Sequence, residues 1–178
     1  MKRITFLAMA IAFALVMSAC GDDSAADSDS ASASDVVSDP GLQLLAVDFT
    51  LDSVAILNTS NEDISTAGFW LCSEGEYFAL DPQPVAARST ILFQLDDLGE
   101  LDPSDGELAL YNSDAFGDAD AIQSYVEWGS TGHQRSELAA SAGIWVPGEF
   151  VAADGSSTLL TNIDPTSFDV VNWVASDE

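Results

Sequence analysis

The strongest constraint on how this chain folds is the way its apolar residues are portioned out beyond residue 40. LQLLAVDFT (42–50), SVAILN (53–58), GFWLCS (68–73), EYFAL (76–80), STILFQL (89–95), GELALYN (106–112), AIQSYVEW (121–128) and FDVVNWV (168–174) are short segments rich in apolar, aromatic and β-branched residues. Between them stand NTSNED, DPQP, DPSDG and AFGDAD, which carry the Asn, Asp, Gly and Pro that turns require. Short strands at this spacing, with turn chemistry between them, predict an all-β sandwich or barrel. One stretch, SELAASAG, reads as a helix of about two turns. Ser136 is its expected N-cap, Glu137 lies in the first turn where the helix dipole favours an anion, and Gly143 suits a left-handed end.

The first forty residues are of another kind. MKRITFLAMAIAFALVMSAC has two basic residues, an apolar run and small residues before a cysteine. The run is shorter than the roughly 18 to 20 residues that a membrane crossing needs, so residues 1–19 read as a secretory signal peptide. Met17-Ser18-Ala19-Cys20 resembles the bacterial lipobox, which implies cleavage before Cys20 and lipid on that cysteine. Two or more acyl chains anchor stably where one holds only marginally. Residues 20–39, rich in Asp, Ser and Ala, read as a disordered acidic linker, because they lack the apolar area to offset ordering entropy. Residues 40–178 then form one domain.

Loss of the signal peptide takes Lys2 and Arg3 and no acid, so the formal charge of −26 becomes −28, with Arg88 and Arg135 left against 30 acids. Nucleic acid and anionic lipid are bound by neutralising phosphates with Lys and Arg, so neither is expected as a partner. The balance fits salty surroundings or a surface that gathers divalent cations. Lipid on Cys20 would leave Cys72 without a disulfide partner, and its apolar neighbours mark it as a small buried residue.

VAILNTSNEDISTAGFWLC resembles the opening of the lamin tail domain, an immunoglobulin-like β-sandwich, with Asn58, Gly68, Phe69 and Leu71 on its motif positions. EYFAL, STILFQL and the segment ending Asp120, Val126 and Trp128 resemble its later strands, so the likeness covers about residues 45 to 130. The resemblance implies a binding and scaffolding module without shared catalytic residues. Together with the N-terminus it leads us to expect a lipoprotein of the bacterial cell envelope. Such a protein would face the periplasm or exterior and meet an envelope protein or polysaccharide.

Three constellations carry candidate chemistry. His133, the single histidine, stands two residues from Arg135 in WGSTGHQRSELAASAGIW. The chain has no G-x-S-x-G nucleophile turn, nor the further His or Cys ligands of a zinc site, so a structural role before the helix is expected. NSDAFGDADA offers Asn112, Asp114, Asp118 and Asp120 as ligands for Ca2+ or another hard cation. Phe116 and Gln123, however, fall where an EF-hand needs oxygens. Carboxylate pairs for glycoside hydrolysis cannot be picked from spacing alone. Among the four tryptophans Trp145, close to Pro147 and Gly148, is the one expected to be exposed and free to stack on sugar.

A folded chain with this charge crowds its carboxylates more than the unfolded chain does, so monovalent salt should raise the melting temperature by screening. A thermal melt across a sodium chloride series reads this. A melting temperature indifferent to salt would contradict the salt-adapted reading.

Overall fold

Eleven strands and one short helix take shape in the computed structural model, which describes residues 41–95 and 100–177. The chain divides into two units, Met1–Asp35 and Val36–Glu178, and all described residues belong to the second. The expected signal peptide, Cys20 and the acidic linker lie outside the described residues.

The strands are β1 (Leu42–Asp48), β2 (Ser53–Asn58), β3 (Ile64–Ser65), β4 (Trp70–Ser73), β5 (Glu76–Ala79), β6 (Pro84–Val85), β7 (Thr90–Gln94), β8 (Gly106–Tyr111), β9 (Ile122–Trp128), β10 (Leu159–Asn162) and β11 (Trp173–Ser176). Helix α1 spans Ser136–Ser141. Antiparallel pairing builds a five-stranded sheet in the order β11-β10-β1-β2-β7 and a four-stranded sheet in the order β5-β4-β8-β9. A third pairing joins β3 to β6. The expected all-β sandwich is the fold observed, with one short helix.

Inward-facing residues of both sheets meet in one apolar cluster. Leu44, Ile56 and Leu160 contribute from the first sheet and Leu71, Leu108 and Val126 from the second, all with no exposure. Each such side chain contributes about 1.5–3 kcal/mol relative to an exposed one. A β-bulge in β1 between Leu44 and Ala46 coincides with a polar tie between the sheets, where Leu44 N–H donates to Ser124 Oγ at 3.2 Å.

Two departures from expectation have local causes. FDVVNWV is only partly strand. Asp169 Oδ1 accepts from Val171 N–H at 3.1 Å, which turns Val170–Asn172 into a 3₁₀ turn before β11 begins at Trp173. β10 had no clear alternation, since its two leucines are adjacent, yet it pairs with both β1 and β11 in the interior of the larger sheet.

The NTSNED turn is organised by Asn58. Its fully buried side chain donates to the carbonyls of Glu62, Val85 and Ala86 at 2.7, 2.9 and 3.2 Å, and accepts from Ser60 N–H at 2.9 Å. It thereby joins the end of β2 to the loop after β6. Asn58→Ala would strand these buried groups and should cost about 1–3 kcal/mol, read as a shift in the denaturant midpoint at unchanged slope. Stability equal to wild type would contradict this role.

A sealed carboxylate cluster as the candidate functional site

Strands β8 and β9 depart from the alternation of a sheet with one wet face. All six residues of β8 and six of the seven in β9 are buried. Their outward side chains lie beneath two coverings, the loop 112–121 and the segment 129–150 that carries α1. The far edge of β9 is closed too, by a parallel bridge from Trp128 to Val151. There Val151 N–H donates to Glu127 O at 2.9 Å and Gly129 N–H donates to Val151 O at 3.0 Å.

Beneath the second covering stand two glutamates. Glu107 and Glu127 are register partners across β8 and β9, and both have 0% exposure. The Tyr125 hydroxyl sits between them, 2.9 Å from Glu107 Oε2 and 3.2 Å from Glu127 Oε2. Glu127 gathers five further contacts. Oε1 accepts from Ser136 Oγ at 3.0 Å and Trp145 Nε1 at 2.9 Å. Oε2 accepts from the N–H groups of Gly132 and His133 at 3.1 and 3.2 Å, and lies 3.1 Å from His133 Nδ1. Glu107 is poorer in partners. Its Oε2 accepts from Arg135 N–H at 2.8 Å, while its Oε1 is buried and unpartnered.

The local chain path follows from this convergence. Gly129 has φ +77°, and a side chain there would collide with the Ser104 carbonyl oxygen, so only glycine lets the chain leave β9 at this angle. Gly132, at φ +83°, then turns successive N–H groups toward the carboxylate.

His133 behaves as a structural residue pairing with carboxylates. Its side chain is 11% exposed, and its ring lies between Glu127 and Asp105, whose Oδ1 is 3.5 Å from Nε2. Arg135 divides its roles. The backbone N–H serves Glu107, whereas the guanidinium lies 5.2 Å from the centre of the Tyr77 ring and reaches Phe116 O at 3.4 Å. The fold also brings Arg135 against Cys72, far away in sequence. Burial still pushes the Cys72 thiol above its ordinary pKa, with the Arg135 contact opposing. Burial is likewise the main cause that raises the carboxyl of Glu107 and the phenols of Tyr111 and Tyr125.

Two expectations are corrected here. Ser136 does not cap α1. Arg135 occupies that position without a side-chain cap, and the Ser136 hydroxyl bonds the buried charge of Glu127, the stronger acceptor. Gly143, at φ +73°, does follow the helix in the left-handed conformation. Trp145 is buried at 4% exposure, because its indole N–H reaches Glu127 Oε1 and Glu149 O and its ring meets Tyr125 edge-on at 5.3 Å. Trp70, half-buried and edge-on to Phe116 at 5.4 Å, is the more exposed tryptophan.

The candidate cation loop is folded on itself. Asn112, Asp114, Asp118 and Asp120 are exposed. Asp118 Oδ1 accepts from Asp120 N–H at 3.0 Å, and Asp118 N–H donates to Ala115 O at 2.9 Å. Phe116 anchors the loop by stacking on Tyr77 at 3.9 Å. Among the described residues no three His, Cys, Asp or Glu side chains are grouped to hold a metal ion. LDPSDGE is the tight turn expected, closed by Asp102 Oδ1 accepting from Ser104 N–H at 2.8 Å. A small acid-lined cleft opens beside it, with Glu74, Glu76, Glu100, Asp102 and Asp105 around Trp128. Its volume of about 140 Å³ is below the roughly 300 Å³ at which ligand pockets begin.

Comparison of the chain with protein-family models, with curated proteins and with solved structures finds no match in any of the three. The chemistry of the cluster therefore has to be read from its own geometry. It is a polar fastening that locks segment 129–150 onto the outer face of the second sheet. Glu127→Ala should cost about 3–5 kcal/mol, the scale of a buried charge network losing one member. His133→Ala should cost less, about 1–3 kcal/mol. Chemical denaturation of both variants checks this order, and a reversed order would contradict it.

Proposed function

We propose that this chain is a lipoprotein of the bacterial cell envelope, held to a membrane through Cys20. On this reading it presents a lamin-tail-like β-sandwich as a non-catalytic interaction and scaffolding module facing the periplasm or exterior. One observation supports the non-catalytic part above others. Of the groups best suited to acid–base chemistry, Glu107, Glu127 and Tyr125 are sealed under segment 129–150, and His133, carried by that segment, is turned onto Glu127. A general base needs hydrogen-bond reach to a substrate proton, and here burial, together with the protein's own donors around Glu127, denies that reach. The partner fitting this role is an envelope protein or polysaccharide that meets the outer surface of the sandwich. The absence of lysine beyond residue 2 and the excess of acids support a partner other than nucleic acid or an anionic headgroup.

Anchoring is the testable core of this reading. Expressed in a bacterial host, the wild-type chain should take up labelled fatty acid and sediment with membranes, and Cys20→Ser should do neither. Equal partitioning of wild type and variant would overturn the lipoprotein assignment.

A further inference from the structure

We propose that Glu107 and Glu127 hold a single proton between them, resident on Glu107, so that the fastening of segment 129–150 is a pH-sensitive latch that holds while this proton is bound and loosens as rising pH removes it. The geometry rests on counting donors. A tyrosine hydroxyl has one proton to give, yet the Tyr125 oxygen lies within hydrogen-bond distance of a carboxylate oxygen on either side, at 2.9 and 3.2 Å. If both glutamates were ionised, one of these contacts would set an oxygen lone pair against a full negative charge. A proton on Glu107 Oε2 resolves the conflict, because Glu107 then donates to Tyr125 and Tyr125 donates to Glu127.

The same counting places the proton on Glu107. Glu127 is surrounded by donors from Gly132, His133, Ser136 and Trp145, an environment built for a charge. Glu107 has one oxygen with no partner at all. An unpartnered oxygen of a buried carboxylate is far more costly than the carbonyl oxygen of a neutral acid. This is the pattern of two carboxyls driven apart by their surroundings, one neutral and one charged.

The groups facing Glu107 come from each packed element. Cys72 lies on β4, Tyr111 on β8, Tyr125 and Glu127 on β9, and His133 and Arg135 on the covering segment, with Asp105 beyond His133. Burial first and the Glu127 charge after it favour the neutral acid, whereas the Arg135 N–H, the Tyr125 contact and His133 oppose it. A carboxyl held above its ordinary value of 4.5 keeps a proton that the unfolded chain has lost. Its contribution to stability is therefore complete below that value and is lost as pH rises through the folded-state value. On ionisation the proton leaves to solvent. A second buried charge is then left beside Tyr125, and the covering segment is the part that must yield.

Wild type, Glu107→Gln and Glu127→Gln should be melted from mildly acidic to mildly alkaline pH at constant ionic strength. Glu107→Gln mimics the neutral acid, so its melting temperature should move upward relative to wild type by several degrees as pH rises. Glu127→Gln should melt below wild type throughout. The many surface acids titrate alike in all three proteins and cancel in the differences. The wild-type infrared spectrum should also keep the carbonyl stretch of a protonated carboxylic acid at pH values above the ordinary carboxyl value of 4.5, beyond the range in which an unperturbed carboxyl loses it, and this band should fade as the pH is raised further. A pH-independent difference between Glu107→Gln and wild type would overturn the proposal. So would equal behaviour of the two glutamine variants, or a wild-type spectrum without the acid band. The spectrum decides the matter even if a variant fails to fold.

Discussion

A carboxylate with no exposure, Glu127, receives donors from the turn after β9, from the first residue of α1 and from the tryptophan beyond it. Removing a charge from water costs several kcal/mol, and only a dense set of aligned donors offsets that. Here the donors come almost wholly from one segment, 129–150, whose only regular element is a helix of six residues. A helix this short has little stability of its own. Its place on the sheet is therefore fixed by the carboxylate as much as by the apolar contacts of Ala139 and Ile144.

This arrangement turns a two-layer sandwich into one with an extra covering on a single sheet. β8 and β9 are buried on both faces, as strands of an α/β protein would be, although the chain is nearly all β. The inner face is apolar. The outer face is mixed, with Cys72, Tyr111, Tyr125 and the two glutamates beneath Phe116, Arg135 and Trp145. A buried polar layer gives specificity of position, because its groups are satisfied in few arrangements and leaving one unsatisfied is costly. An apolar covering would tolerate sliding more readily.

The same economy of cations shapes the surface. Two arginines beyond the first three residues face thirty acids, and one of them, Arg135, is drawn inward over Tyr77. The other, Arg88, donates to Asn61 Oδ1 at 3.2 Å in place of a carboxylate. Repulsion among the remaining acids is thus left to solvent ions to screen, and turns such as those at Asp102 and Asp154 put carboxylates to local use in accepting from serine. A surface with this balance can be met favourably through apolar or neutral contacts or through cations brought from outside.

Local information was enough for the strands and turns, because the period-2 pattern and the Asn, Asp, Gly and Pro punctuation act over a few residues. SVAILN, GELALYN and AIQSYVEW became β2, β8 and β9 within a residue or so, and Gly143 follows α1 as its backbone freedom implies. The pairing of Glu107 with Glu127 was not legible as a site. One signal was present, a glutamate placed inside each of two strands rich in apolar and aromatic residues, but it gains meaning only once the register sets the two side by side. Ser136 and Trp145 changed roles for the same reason, since their partner Glu127 lies on another element and a buried charge outbids local capping and exposure preferences. Sequence by itself determined which segments extend, where they turn and how acidic the chain is, because these depend on neighbours along the chain. Tertiary structure alone decided which acids are removed from water and which donors meet them, because that depends on contacts closed across long loops.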